Sequence, residues 1–308
     1  MMNSTESRAY FSTFQLKFIA LICMVFDHAG QFFPEIMPQW FRYIGRISAP
    51  LFLFCLVWGM DYTRNRFYYL LRIYCASLGM EVLWTVLNYF LPYSGAEHNN
   101  IFTTFFNIGV LITLVSLVRR KMLKKIYAIL FLVVWQLSST LLILLIYYKN
   151  LQEWTHFVGA LSGNFFVCEG GIMWVSLGII LYCIKNTQIK LFSGYSIFCL
   201  FCSLCSLTAP LARAMYFLEF FTNIDQTVIW QILEIIYVLI LGNAWYFTPV
   251  VPHGLYFGDY QWMMIAALPF MMLYNRKRGC KIKAFFYLFY PIHILIFLLI
   301  SRFLIILQ

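Results

Sequence analysis

Charge is what this sequence has least of. Only 11% of its 308 residues are Asp, Glu, Lys or Arg, against 62% hydrophobic ones, and the mean hydropathy is +0.78. Soluble domains hold about a quarter charged and about half apolar residues, so a water-soluble globule is excluded. Also absent are the H-E-x-x-H, G-x-x-x-x-G-K-[ST] and dinucleotide-binding glycine motifs, which removes the usual soluble enzyme signatures. No internal repeat and no linker is visible. The first apolar run lacks a small-residue cleavage site and carries Asp27-His28, so it reads as a retained span rather than a signal peptide. Short alternating runs are lacking too. The apolar stretches approach 20 residues, which selects membrane-crossing helices over a closed barrel.

What is present predicts an all-α fold, a polytopic transmembrane bundle of about ten spans forming one domain over 1–308. The spans fall near 14–33, 43–60, 68–91, 101–118, 126–147, 166–184, 191–209, 227–247, 260–274 and 284–306. With only short polar sequence at 1–13, no extramembrane domain is expected before the first span. The net charge is +10, and basic residues gather in loops at 61–66, 119–125, 185–190 and 275–283. Such a bias marks cytoplasmic loops of an inner, cytoplasmic membrane protein. It does not point to nucleic acid, since no soluble basic domain carries it. All four loops on one side conflicts with ten simple spans, because three spans separate the last two; the conflict lies within 211–258. Nine cysteines are scattered through apolar runs. Cys199, Cys202 and Cys205 superficially suggest a metal site, but their spacing drifts around a helix with no His or carboxylate close by. They read as small apolar residues, and no metal or required disulfide is expected.

Ionisable groups inside lipid are costly and face a protein interior or a watery cavity. The first span holds Lys17, Asp27 and His28. Lys17 and His28 lie almost three turns apart on one face, about 16 Å along the axis, and Asp27 is offset by roughly 100°. The group has the ingredients of a buried base. Arg46, early in the second span, can approach Asp27 and His28 or snorkel to the interface. Glu81 sits near mid-bilayer in the third span, paired within the bundle or lining a cavity. Asn107 lies in the fourth span. Glu169 precedes Gly170-Gly171 at the mouth of the sixth, where backbone can approach a ligand closely. His98 reads as an exposed loop residue, and the span 126–147 as lipid-facing scaffold. Glu234 and His253 are further polar positions. In the last span, Tyr290 and His293 share a face around Pro291, which frees a backbone carbonyl.

These residues carry a likeness. Lys17-Phe-Ile-Ala-(x6)-Asp27-His28, Gly45-Arg46-Ile47-(x2)-Pro50-Leu51-Phe52, Thr63-Arg64-Asn65, Leu273-Tyr274-Asn275-(x3)-Gly279 and Phe289-Tyr290-Pro291-(x)-His293 resemble the TraX family, named for the enzyme that acetylates the N-terminus of F-type pilin. The likeness is strongest at the two ends and weak between about 120 and 260. Arg276-Lys277-Arg278 stands where a glycine commonly follows the Tyr-Asn pair. The first span is also similar to broader membrane acyl-CoA acyltransferases, in which a basic residue, ten intervening residues and a His mark the first helix. Lys17 and His28 reproduce that spacing.

The resemblance implies an integral-membrane acyltransferase moving an acyl group, acetyl above all, from acetyl-CoA to an amine or hydroxyl. The acceptor is a peptide, pilin, glycan or lipid. Such transfer needs a base, and a His suits it. His28 is expected to serve as base with Asp27 orienting it or stabilising its imidazolium. His293 would orient the site or stabilise the oxyanion, unless it only hydrogen-bonds Tyr290. Lys17, Arg46, Arg64, Arg66, Arg72, Glu81, Asn107, Glu169, Tyr290 and His293 are expected at the substrate site. Arg64, Arg66 and Arg72 would meet the phosphates of coenzyme A, while the 119–121 and 276–278 clusters read first as topology and lipid contact. Two alternatives stand: a transporter or flippase coupled through Asp27, Glu81 and Glu234, or a non-enzymatic assembly factor.

Overall fold

The computed structural model describes residues 10–90, 98–208, 260–280 and 282–306. The expected span 227–247, the segment 211–225, and Glu234 and His253 lie outside the described residues. Among those described, seven helices are long and apolar enough to cross a membrane. Helix α1 (Thr13–Phe32) comes first, then the pair α2 (Trp40–Gly45) and α3 (Ser48–Tyr62), counted as one crossing. The others are α4 (Arg66–Phe90), α5 (Ile101–Arg119), α6 (Lys125–Tyr148), α9 (Gln188–Thr208) and α11 (Lys283–Ile306). Two predicted spans are shorter than expected. The sixth is helical only as α8 (Gly171–Ile184), after the brief α7 (Thr155–Ser162) and an irregular stretch. The ninth is a 3-10 turn (Gln261–Ala267) running into α10 (Leu268–Met272).

The chain divides into two compact units. One comprises 1–58, 180–204 and 251–308, the other 59–179 and 205–250. In the first unit, α1 is built on a capping box. Ser12 Oγ accepts from the Gln15 N–H, and Gln15 Oε1 accepts from the Ser12 N–H at 2.8 Å. That reciprocal pair satisfies two of the donors every helix start leaves open. The 273–279 segment satisfies others: the N–H groups of Thr13 and Phe14 donate to the carbonyls of Lys277 and Arg278 at 2.8 and 3.0 Å. Asn275 N–H donates to Phe11 O, and Tyr274 OH lies 2.7 Å from Thr13 Oγ1. Motifs from opposite ends of the sequence are thus one structural piece.

Helix α3 packs antiparallel to α1, with Ser48 Oγ donating to Ala20 O at 2.8 Å. Its Pro50 falls in the first turn, where a missing N–H costs no intrahelical bond. On α9, Tyr195, Phe198, Cys199 and Cys202 are buried, and Tyr195 OH donates to Met264 O at 2.6 Å. Arg276 Nη2 donates to Asn186 O at 3.0 Å, and Gln188 Nε2 to Met272 O at 3.1 Å. The basic loops at 185–190 and 275–278 therefore meet, as the charge bias requires.

In the second unit, α4 and α5 form an antiparallel hairpin. Ser77 Oγ faces Thr103 Oγ1 at 2.7 Å, and Leu70 lies in the space a side chain at Gly109 would need. This register puts the loops at 61–66 and 119–125 at one end of the hairpin. Helix α6 exposes Phe131, Val134, Leu137, Leu141 and Leu145, a lipid-facing stripe. Its opposite side is polar and holds the irregular 162–167 stretch. Trp135 Nε1 donates to Ser162 O, Gln136 Nε2 to Gly163 O, and Asn164 Nδ2 to Ser139 Oγ. Non-helical backbone survives at membrane depth only when protein groups satisfy it in this way. The scaffold role expected of 126–147 is therefore half its work.

Gly279 (φ +71°) closes the 273–279 turn, and a Cβ there would meet Ser12 Oγ at 2.6 Å and Phe14 Cβ at 2.9 Å. Gly279→Val is expected to destabilise the protein by about 1–3 kcal/mol, seen as a lower thermal midpoint in detergent. An unchanged midpoint would mean that the turn does not anchor α1.

Candidate functional site

The expected site residues separate between the two units. Lys17, Asp27, His28, Arg46, Tyr290 and His293 belong to the first, and Arg64, Arg66, Arg72, Glu81, Asn107 and Glu169 to the second.

In the first unit, α1 and α11 bring two imidazoles together. His28 Nδ1 lies 2.6 Å from His293 Nε2, with ring planes within 9° and each residue only 5% exposed. His293 Nδ1 lies 2.9 Å from the Phe289 carbonyl. A carbonyl oxygen only accepts, so Nδ1 of His293 carries the proton and its Nε2 holds a lone pair. His28 must then donate from Nδ1, which leaves the lone pair of the neutral His28 ring on Nε2. Among the described residues, no hydrogen bond engages that nitrogen. Tyr290 packs edge-on to both rings, at 6.2 and 5.6 Å. Lys17, toward the start of α1, sits 5.5 Å over the Phe286 ring, away from the imidazole pair.

Asp27 turns elsewhere. Arg46 Nη2 donates to both of its carboxylate oxygens, 2.6 Å from Oδ2. Arg42 Nη1 reaches Oδ1 at 2.9 Å and the Asp27 carbonyl at 3.1 Å. Both guanidiniums lie over the Tyr260 ring, at 5.4 and 5.2 Å. Asp27 makes no hydrogen bond to His28, because sequence neighbours on a helix point about 100° apart. Gly45 permits the clamp: a Cβ there would fall onto the Asp27 side chain. Arg42 escaped the sequence reading, although its i, i+4 spacing from Arg46 put both on one face. Tyr260 gave no signal at all.

The second unit holds a different polar cluster. Glu81 is 3% exposed and accepts from His98 Nε2 at 2.8 Å and from Asn100 Nδ2, which also donates to Ser77 O at 3.0 Å. His98 stacks on His156 at 4.1 Å, and burial pushes the His156 imidazole down to about 4. The reading of His98 as an exposed loop residue is corrected: a buried carboxylate needs a partner, and the hairpin delivers one. Asn107 Nδ2 donates to Asn164 O, and Thr104 Oγ1 to the Glu169 carbonyl, both fixing irregular backbone. Arg64 and Arg72 are exposed, Arg66 half-buried, and Arg72 stands over the Tyr69 ring.

A family model described as TraX protein matches residues 12–184 and 172–301. The chain belongs to the TraX family. The motifs at 17–28, 45–52, 273–279 and 289–293 all belong to the first unit. A relative 41% identical over 66 residues is the probable fimbrial assembly protein FimC, serogroup H1, of Dichelobacter nodosus. That alignment covers 20% of this chain and 27% of the relative, so the chain spans about a quarter of the curated relative's length. No solved structure matches.

The clamp of this TraX protein yields a stability test. Removing one partner of a buried ion pair costs about 3–5 kcal/mol, whereas apolar replacement of both is close to neutral. Asp27→Leu, which strands both Arg42 and Arg46, is expected to show the large loss in detergent unfolding, and adding Arg42→Met with Arg46→Met to recover much of it. Strict additivity of these changes would remove the coupling.

Proposed function

We propose that this TraX-family protein transfers an acetyl group from acetyl-CoA to the terminal amine of a pilin or similar exported peptide, at the cytoplasmic membrane. The observation that carries this reading is the buried His28–His293 pair, whose hydrogen-bond direction leaves His28 Nε2 as the available lone pair. As the amine attacks the thioester carbonyl, Nε2 takes its proton. The C–N bond forms, the C–S bond breaks, and the proton passes to the departing CoA thiolate. His293, itself held by Phe289, fixes the tautomer and orientation of His28 and so acts as a positioning residue.

Asp27 has a matching task in this reading. Two guanidiniums against one carboxylate leave a net positive charge beside the imidazole pair, suited to an oxyanion developing on the acyl carbon. Asp27 holds those arginines in place rather than touching the substrate. The family match and the fimbrial assembly relative support a pilin-type acceptor over a glycan or lipid. The acetyl-CoA donor is the part supported by resemblance and by the base alone.

The full chain in proteoliposomes, given acetyl-CoA and a peptide with a free N-terminus, is expected to add the mass of one acetyl group. His28→Ala should lower kcat by about 10²- to 10⁴-fold while insertion and thermal midpoint are retained. Wild-type rates in a stably folded His28→Ala protein would reject His28 as the base, and no acetylation by the wild type would reject the reaction.

A further inference from the structure

At the end of the first unit where α1 begins, two cations share one indole. Lys185, 5% exposed, donates to Val57 O at 3.2 Å and lies 4.9 Å from the Trp58 ring and 4.7 Å from that of Tyr182. Arg276 lies 5.7 Å over the same Trp58 ring, and the Tyr274 ring packs 5.2 Å from it. Lys277 and Arg278 follow directly and are exposed. Arg276 also takes φ +58°, a left-handed conformation that side-chain-bearing residues adopt at a cost. A glycine would rest there without strain, so the guanidinium is held against the backbone's preference. Like charges brought together repel, and they concentrate positive potential that draws a polyanion. A lysine supplies a point charge and an arginine a planar fork, the pairing that phosphate groups use.

We infer that Lys185 and Arg276 form the binding site for the phosphorylated nucleotide half of the acyl donor. This rests on the acetyl-CoA reading above and gives that donor an anchor different from Arg64, Arg66 and Arg72. The lengths agree. Trp58 lies near the level of Thr13, because Cys55 Sγ reaches Thr13 O at 3.8 Å. From Thr13 to His28 is about 22 Å along α1. An extended pantetheine arm of about thirteen bonds spans about 15 Å at the reach of a peptide chain, with the diphosphate beyond it. A nucleotide at the basic end therefore delivers its thioester toward the imidazole pair.

Arg276→Gly is the informative variant, since it relaxes the backbone as it removes the charge. The full chain in phosphatidylcholine nanodiscs is titrated with coenzyme A and with acetyl-pantetheine, which carries no nucleotide. The variant is expected to keep its thermal midpoint and to bind coenzyme A about tenfold more weakly, with its affinity for acetyl-pantetheine unaltered. Equal coenzyme A affinities, equal losses for both ligands, or no binding to the wild type would overturn the site. So would a change confined to retention of added phosphatidylglycerol, which would assign these cations to a lipid headgroup. Acetyl transfer from acetyl-CoA to a peptide with a free N-terminus is followed in the same wild-type sample. Its absence sinks the acetyltransferase reading, while the coenzyme A titration still decides the nucleotide site.

Discussion

A carboxylate inside an apolar span must be neutralised where it stands, because lipid offers no water to do it. Asp27 meets that demand with Arg42 and Arg46, and much of the first unit follows from it. The two arginines sit one turn apart, so α2 must lie against α1. Close approach requires that the facing residue be Gly45, whose missing side chain leaves room for the carboxylate. Tyr260 then covers both guanidiniums, drawing the 3-10 turn at 261–267 toward the same place. Once Asp27 is committed to the arginines, His28 on the adjoining face is free to meet α11.

The second unit answers the same constraint with different groups. Glu81 is neutralised by His98 and Asn100, and irregular backbone at 162–167 is satisfied by side chains of α5 and α6. Every one of these bonds is used in holding backbone or pairing a buried charge, which reads as architecture. In the first unit, the hydrogen-bond chain from Phe289 through His293 ends at His28, whose Nε2 keeps a lone pair.

The 273–279 turn shows how family motifs at opposite ends of a chain come to depend on each other. Its carbonyls cap the first turn of α1, so the helix that carries His28 is held at its start by the segment leading into the helix that carries His293. A shift in the turn would move one imidazole relative to the other. Pro291, inside α11, lacks the N–H that a helical residue there would donate.

The sequence by itself determined the solvent and the secondary structure. Scarce charge and near-20-residue apolar runs leave only helices. It also singled out His28, His293, Tyr290, Asp27 and Arg46, because a polar residue in an apolar run stands out one at a time. Tertiary structure alone decided the pairings. Nothing in a linear pattern joins position 28 to 293, 81 to 98, or 27 to 42, and a helix neighbour such as Asp27 looks closer to His28 in sequence than its side chain is in space. Short helices and irregular turns were the hardest to read, since their backbone is satisfied by distant side chains rather than by any local repeat. Hydropathy reports whether a group is costly in lipid; only packing reports which partner removes the cost.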